Sequence, residues 1–67
     1  MEGGEGMQYS LKELRARKNE TQAQVAEALD ISVQTYCAWE QDVSNVAIGK
    51  VMRLAKHFGV EVNEIKV

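Results

Sequence analysis

Apolar residues recur along this chain at helical spacing. Leu11 and Leu14 lie three apart, as do Tyr36 and Trp39, and Val25, Ala26 and Leu29 fall at i, i+1 and i+4. Val51, Leu54, Ala55 and Phe58 fall at i, i+3, i+4 and i+7. Each set marks one face of a helix. Period-two alternation occurs only over Gly59-Val60-Glu61-Val62-Asn63, too short a stretch to outweigh the rest. The polar residues between the stripes supply the ends. Ser10-Leu11-Lys12-Glu13 and Thr21-Gln22-Ala23-Gln24 both have the form of a capping box, and Ser32 suits a third N-cap. Asn19, Asp30 and Gly59 suit the left-handed position that ends a helix. The pattern predicts helices over about 11–18, 22–29 and 33–40, a polar loop over 41–46, and a fourth helix through Val51–Phe58 stopped at Gly59. Val60, Val62 and Ile65 suggest a last short helical turn that closes the core.

Two charges interrupt the stripes. Arg15 extends the Leu11/Leu14 face, and Glu40 extends the Tyr36/Trp39 face. A lone buried charge is very costly, whereas opposite charges satisfy each other. An Arg15–Glu40 pair joining the first helix to the end of the third is therefore expected.

Composition narrows the function. At 67 residues with 45% apolar side chains, the chain is one small domain, of a size that buries only about 60% of its unfolded surface. That leaves little room for an enzyme cleft of several hundred Å³. No nucleophile–base–orienter set and no phosphate-cradling glycine loop is present, so no catalytic residue and no cofactor is assigned. The single Cys excludes an internal disulfide, and His57 has no second ligand at i+3 or i+4, so no metal site is assigned either. No apolar run approaches the length of a membrane span, about 18 residues, and a cytoplasmic protein is expected. Residues 1–9 read as a Gly/Glu-rich flexible tail and residues 10–67 as the domain.

The net charge of −2 is unevenly placed. Lys12, Arg15, Arg17 and Lys18 form one basic cluster; Lys50, Arg53, Lys56 and Lys66 are spread over the C-terminal part. Between them, residues 20–49 hold Glu20, Glu27, Asp30, Glu40 and Asp42 and neither Lys nor Arg. A partner meets this local field before the net charge.

The stretch from Gln22 to Trp39, two short helices joined by Asp30-Ile31-Ser32, has the length and punctuation of a helix-turn-helix. Gln22-Ala23-Gln24-Val25-Ala26, Leu29-Asp30-Ile31-Ser32, Thr35-Tyr36-Cys37-Ala38-Trp39-Glu40 and Leu54-Ala55-Lys56-His57-Phe58-Gly59-Val60 together resemble the Cro/phage-repressor helix-turn-helix family, also called the xenobiotic-response-element type. The resemblance spans about residues 10–66 and implies an all-α, compact five-helix, lambda-repressor-like DNA-binding domain. It implies that the third helix enters the major groove while the second crosses the backbone. Residue by residue, base-reading positions fall on Val33, Gln34 and Ala38, with Ser32, Thr35 and Cys37 near them. The phosphate-facing position at the start of the second helix falls on Gln22, and Gln41, Ser44 and Asn45 follow as further backbone contacts. The family's internal Arg–Glu pair falls on Arg15 and Glu40. Gln34 can bind adenine bidentately, Val33 can touch a thymine methyl, and Ala38 can add a small apolar contact.

The chain departs from the family pattern where Gly is usual after the second and third helices: Asp30 and Asp42 stand there. Glu20 replaces an apolar residue before the second cap, and the loop after the third helix carries no cation. The expected function is a sequence-specific transcriptional regulator of prokaryotic or phage type. It would bind double-stranded DNA at a pseudo-palindromic operator as a homodimer formed in solution or only on DNA. The alternative is a protein-interaction module, antitoxin- or adaptor-like, on the same fold.

Overall fold

Three of the four helices begin on a side-chain cap read from the sequence. The structure, a computed structural model, describes residues 8–66; residues 1–7 of the tail expected over 1–9 lie outside them. Helix α1 spans Leu11–Arg17, α2 Gln22–Leu29, α3 Val33–Gln41 and α4 Ile48–Phe58. In α1, Ser10 Oγ accepts the Glu13 N–H at 3.1 Å and Glu13 reaches back to the Ser10 N–H at 2.8 Å. That amide bond, first among its causes, holds the Glu13 carboxyl below its ordinary pKa. Thr21 and Gln24 repeat the box on α2 at 3.1 and 2.7 Å. Helix α4 starts at Ala47 with no side-chain cap. Its strong apolar face compensates, because helix stability in a folded domain comes chiefly from packing.

Three helices end alike. Asn19, Asp30 and Gly59 take left-handed φ of 57, 59 and 70°. The next residue then donates its N–H back into the last turn: Glu20 to Arg15 O, Ile31 to Ala26 O and Val60 to Ala55 O. These are Schellman-type ends, which satisfy otherwise orphaned carbonyls. Asp30 thus occupies the position where the family favours Gly. Asp42, the other residue standing where Gly is usual, is extended at φ −154° and takes no left-handed geometry. It caps a single 3-10 turn, Val43–Asn45, inside the expected loop.

The core gathers Leu11, Leu14, Val25, Ala26, Leu29, Tyr36, Val43, Val51, Leu54, Ala55, Phe58 and Ile65, with Ile31 and Trp39 packed half-buried against it. The fifth helix implied by the family resemblance is one 3-10 turn, Val62–Glu64, so the described residues hold four α-helices. Ile65 closes the core from this turn at 2% exposure. The folded body also begins earlier than Ser10. The Tyr9 N–H donates to Glu64 O and Tyr9 O accepts from Lys66 N–H, both at 2.8 Å, forming an isolated parallel bridge between Tyr9 and Ile65. Two backbone bonds thus pin Tyr9, the last residue of the expected tail, to the C-terminal segment. Arg17 stacks over its ring at 4.4 Å.

Tyr36 is fully buried, yet its hydroxyl lies against the Arg15–Glu40 pair without a well-formed hydrogen bond. Burial, with the adjacent Glu40, drives its pKa well above the usual phenol value. An unsatisfied buried hydroxyl carries its desolvation cost, so Tyr36→Phe is expected to raise stability by about 1 kcal/mol in urea melts. A loss of that size would instead show that the hydroxyl supports Glu40.

Candidate nucleic-acid interface

Helix α3 buries Tyr36 and turns its other side outward. Val33 is 42% exposed, and Gln34, Ala38 and Gln41 are exposed along the same helix. The turn that aims this face is built locally. Asp30 reverses the chain, Ile31 plugs it against the core, and Ser32 Oγ accepts the Thr35 N–H at 3.0 Å. The Ser32 hydroxyl then donates to Thr35 Oγ1 at 2.9 Å, which leaves the Thr35 proton for an outside acceptor. Ser32 therefore acts as a cap.

Behind α3 lies the expected pair. Arg15 Nε donates to Glu40 Oε2 at 2.7 Å, with side-chain exposures of 18% and 8%. Arg15 Nη1 also donates to Glu20 O at 3.1 Å. Gln22 Nε2 donates to the other oxygen, Glu40 Oε1, at 2.9 Å. Burial pushes the Glu40 carboxyl up, but the Arg15 and Gln22 hydrogen bonds outweigh it and hold the pKa below the ordinary value. The same bond raises the Arg15 pKa further.

Gln22 is the hub of this arrangement. Its Oε1 accepts from Cys37 Sγ at 3.2 Å, so both ends of the amide are held and one N–H is left for an external acceptor. Cys37 is half-buried and supports Gln22 from behind. An open cleft of about 490 Å³ runs here, lined by Lys12, Arg15, Gln22, Cys37, Glu40 and Gln41.

The loop after α3 behaves differently. Asp42 Oδ1 accepts from the Ser44 N–H and the Ser44 hydroxyl, and Asp42 Oδ2 accepts from Asn45 Nδ2 at 2.9 Å. Ser44 and Asn45 thus direct donors to an exposed carboxylate of their own turn. These contacts span only two and three residues, so the signal was local: Asp42 followed two residues later by Ser44 is an Asx-turn pattern inside the stretch expected as a plain polar loop.

The basic residues divide in the same way. Arg53 Nη2 donates to Leu29 O at 2.8 Å and closes the end of α2, while Lys18 Nζ donates to His57 O at 3.0 Å near the end of α4. Both are cations at helix C-termini, where the dipole favours them. Glu20 pairs with His57 at 2.8 Å, a polar substitute for the apolar residue usual before the second cap. Among the described residues no group of three His, Cys, Asp or Glu is placed to hold a metal ion, and no helix is long and apolar enough to cross a membrane.

A helix-turn-helix family model of the Cro/C1 type matches residues 11–65. The chain belongs to this family. The match covers every helix of the described fold. The family is one of DNA-binding regulators, typically without enzymatic activity. No curated protein and no solved structure matches this helix-turn-helix chain significantly.

Proposed function

We propose that this helix-turn-helix protein is a sequence-specific DNA-binding transcriptional regulator that lays α3 in the major groove. The observation that carries the reading is the outward face of Val33, Gln34 and Ala38 on α3, the second helix of the motif, held by the Ser32 cap and the buried Tyr36. On this reading those three residues contact bases. Gln22, Thr35 and Gln41 hold phosphate or groove oxygens, and Ser32 and Cys37 position their neighbours. Ser44 contributes less, because its N–H and its hydroxyl proton already serve Asp42, whereas Asn45 keeps one amide N–H. The chain binds a pseudo-palindromic operator as a homodimer, with half-sites about one helical turn apart. Exposed Ile48 and Met52 on α4 and Val62 in the last turn supply apolar surface for a second copy. Selection from a random duplex pool, followed by anisotropy titration at several salt concentrations, tests the reading. It expects an enriched two-fold motif and affinity that tightens strongly as salt falls; no enrichment, or salt-independent binding, would overturn it.

Asp42 weakens this binding. Its carboxylate stands in the loop after α3 and occupies two of the residues expected to donate there. Asn at the same position keeps an oxygen to cap the turn. Asp42→Asn is expected to tighten duplex binding about fivefold at low salt, corresponding to about 1 kcal/mol for one solvated charge. Unchanged affinity would place the loop away from DNA.

A second reading, a protein-interaction module, is favoured by the exposed acidic residues Glu27, Asp30 and Asp42, which suit a basic partner. Under it, Gln34→Ala leaves partner binding intact and Glu27→Lys or Asp42→Lys disrupts it.

A further inference from the structure

We propose that Lys12, from the first turn of α1, is a phosphate anchor that supplies the cation missing from the recognition segment. This rests on the DNA-binding reading and adds to it a residue from outside the helix-turn-helix. Residues 20–49 contain no Lys or Arg, so a phosphate approaching α2 and α3 meets no positive side chain from those elements. The tertiary structure corrects this. Lys12 lines the cleft of about 490 Å³ together with Gln22 at the start of α2 and Gln41 at the end of α3.

The charges in that cleft can be counted. Glu40 has both oxygens engaged, one by Arg15 and one by Gln22. Arg15 and Glu40 therefore cancel, and Lys12 sets the sign of what remains. The nearest acidic residue in sequence, Glu13, is turned away onto the Ser10 amide. Lys12 itself is exposed, and among the described residues no salt bridge engages it. The remaining Gln22 N–H and the exposed Gln41 amide are neutral donors beside it, so the cleft offers one cation and two amides to a phosphodiester oxygen. A phosphate contact of this kind carries no base information and acts through counterion release.

Duplex titrations over a range of KCl concentrations, on a selected and a scrambled duplex, test the proposal with the full chain. Lys12→Gln is expected to weaken both complexes by a similar factor and to lower the slope of log affinity against log salt by about 0.9. Lys12→Arg restores affinity and slope, and both variants melt with the wild type because the side chain is exposed. An unchanged slope in Lys12→Gln, a loss confined to the selected duplex, or a lowered Tm that explains the loss would each overturn it. If wild-type protein binds neither duplex at any salt concentration, the DNA-binding reading fails first and the anchor falls with it.

Discussion

Glu40→Ala is expected to lower the stability of the domain by about 3 kcal/mol, the low end of the range for breaking a buried ion pair. In a domain of this size that corresponds to a fall in Tm of roughly 12–24 °C. The low end applies because Arg15 keeps 18% of its side chain exposed and regains some hydration when its partner is removed. The Glu40 carboxylate is 8% exposed and accepts from both Arg15 and Gln22, so its loss strands two donors on two different helices. Acid titration gives an independent check. The Glu40 pKa is lower in the folded state, so its contribution is complete above the unfolded carboxyl value of about 4.3 and is lost as pH falls through the folded value. The Tm gap between wild type and Glu40→Gln should therefore be widest near neutrality and shrink as pH falls below about 4. An unchanged Tm in Glu40→Ala, or a gap that ignores pH, would remove the pair from the list of stabilising contacts.

Gln34→Ala is expected to cost about 1–3 kcal/mol of discrimination at one base pair of the operator, a loss of roughly 5–150-fold. Gln34 is exposed on the outer face of α3. The change should therefore leave Tm, scrambled-duplex affinity and salt slope as they are. This contrasts with Lys12→Gln, which acts on slope and on all sequences alike. Selection repeated with the variant should return a motif relaxed at one position per half-site. A motif identical to that of wild type would move base reading off Gln34, and a Tm loss would make the residue structural.

Much of this molecule was legible in local pattern. The two capping boxes, the left-handed Asn19 and Asp30, the Gly59 stop and the apolar face of α4 all stand where spacing and side-chain chemistry put them. These features are decided within about one helical turn, where sequence neighbours are also neighbours in space. The Arg15–Glu40 pair was legible for a different reason. A charge on an apolar stripe needs a partner, and one opposite charge occupied an equivalent stripe. The family pattern likewise lay in register along nearly the whole chain.

What sequence could not show depends on side chains meeting across elements. Nothing local says that Gln22 is clamped between Glu40 and Cys37, or that Tyr9 pairs with the residues flanking Ile65. The division of the basic residues was equally hidden. Arg53 and Lys18 close helix ends, whereas Lys12 lines the cleft beside Gln22 and Gln41. By itself the sequence determined where helices begin, end and turn their apolar faces, because those choices rest on short-range geometry. Only the tertiary structure decided which polar groups are occupied internally and which stay open to a partner. For Gln22, Arg53 and Lys18 the acceptor is brought from 18, 24 and 39 residues away, and packing alone sets those distances.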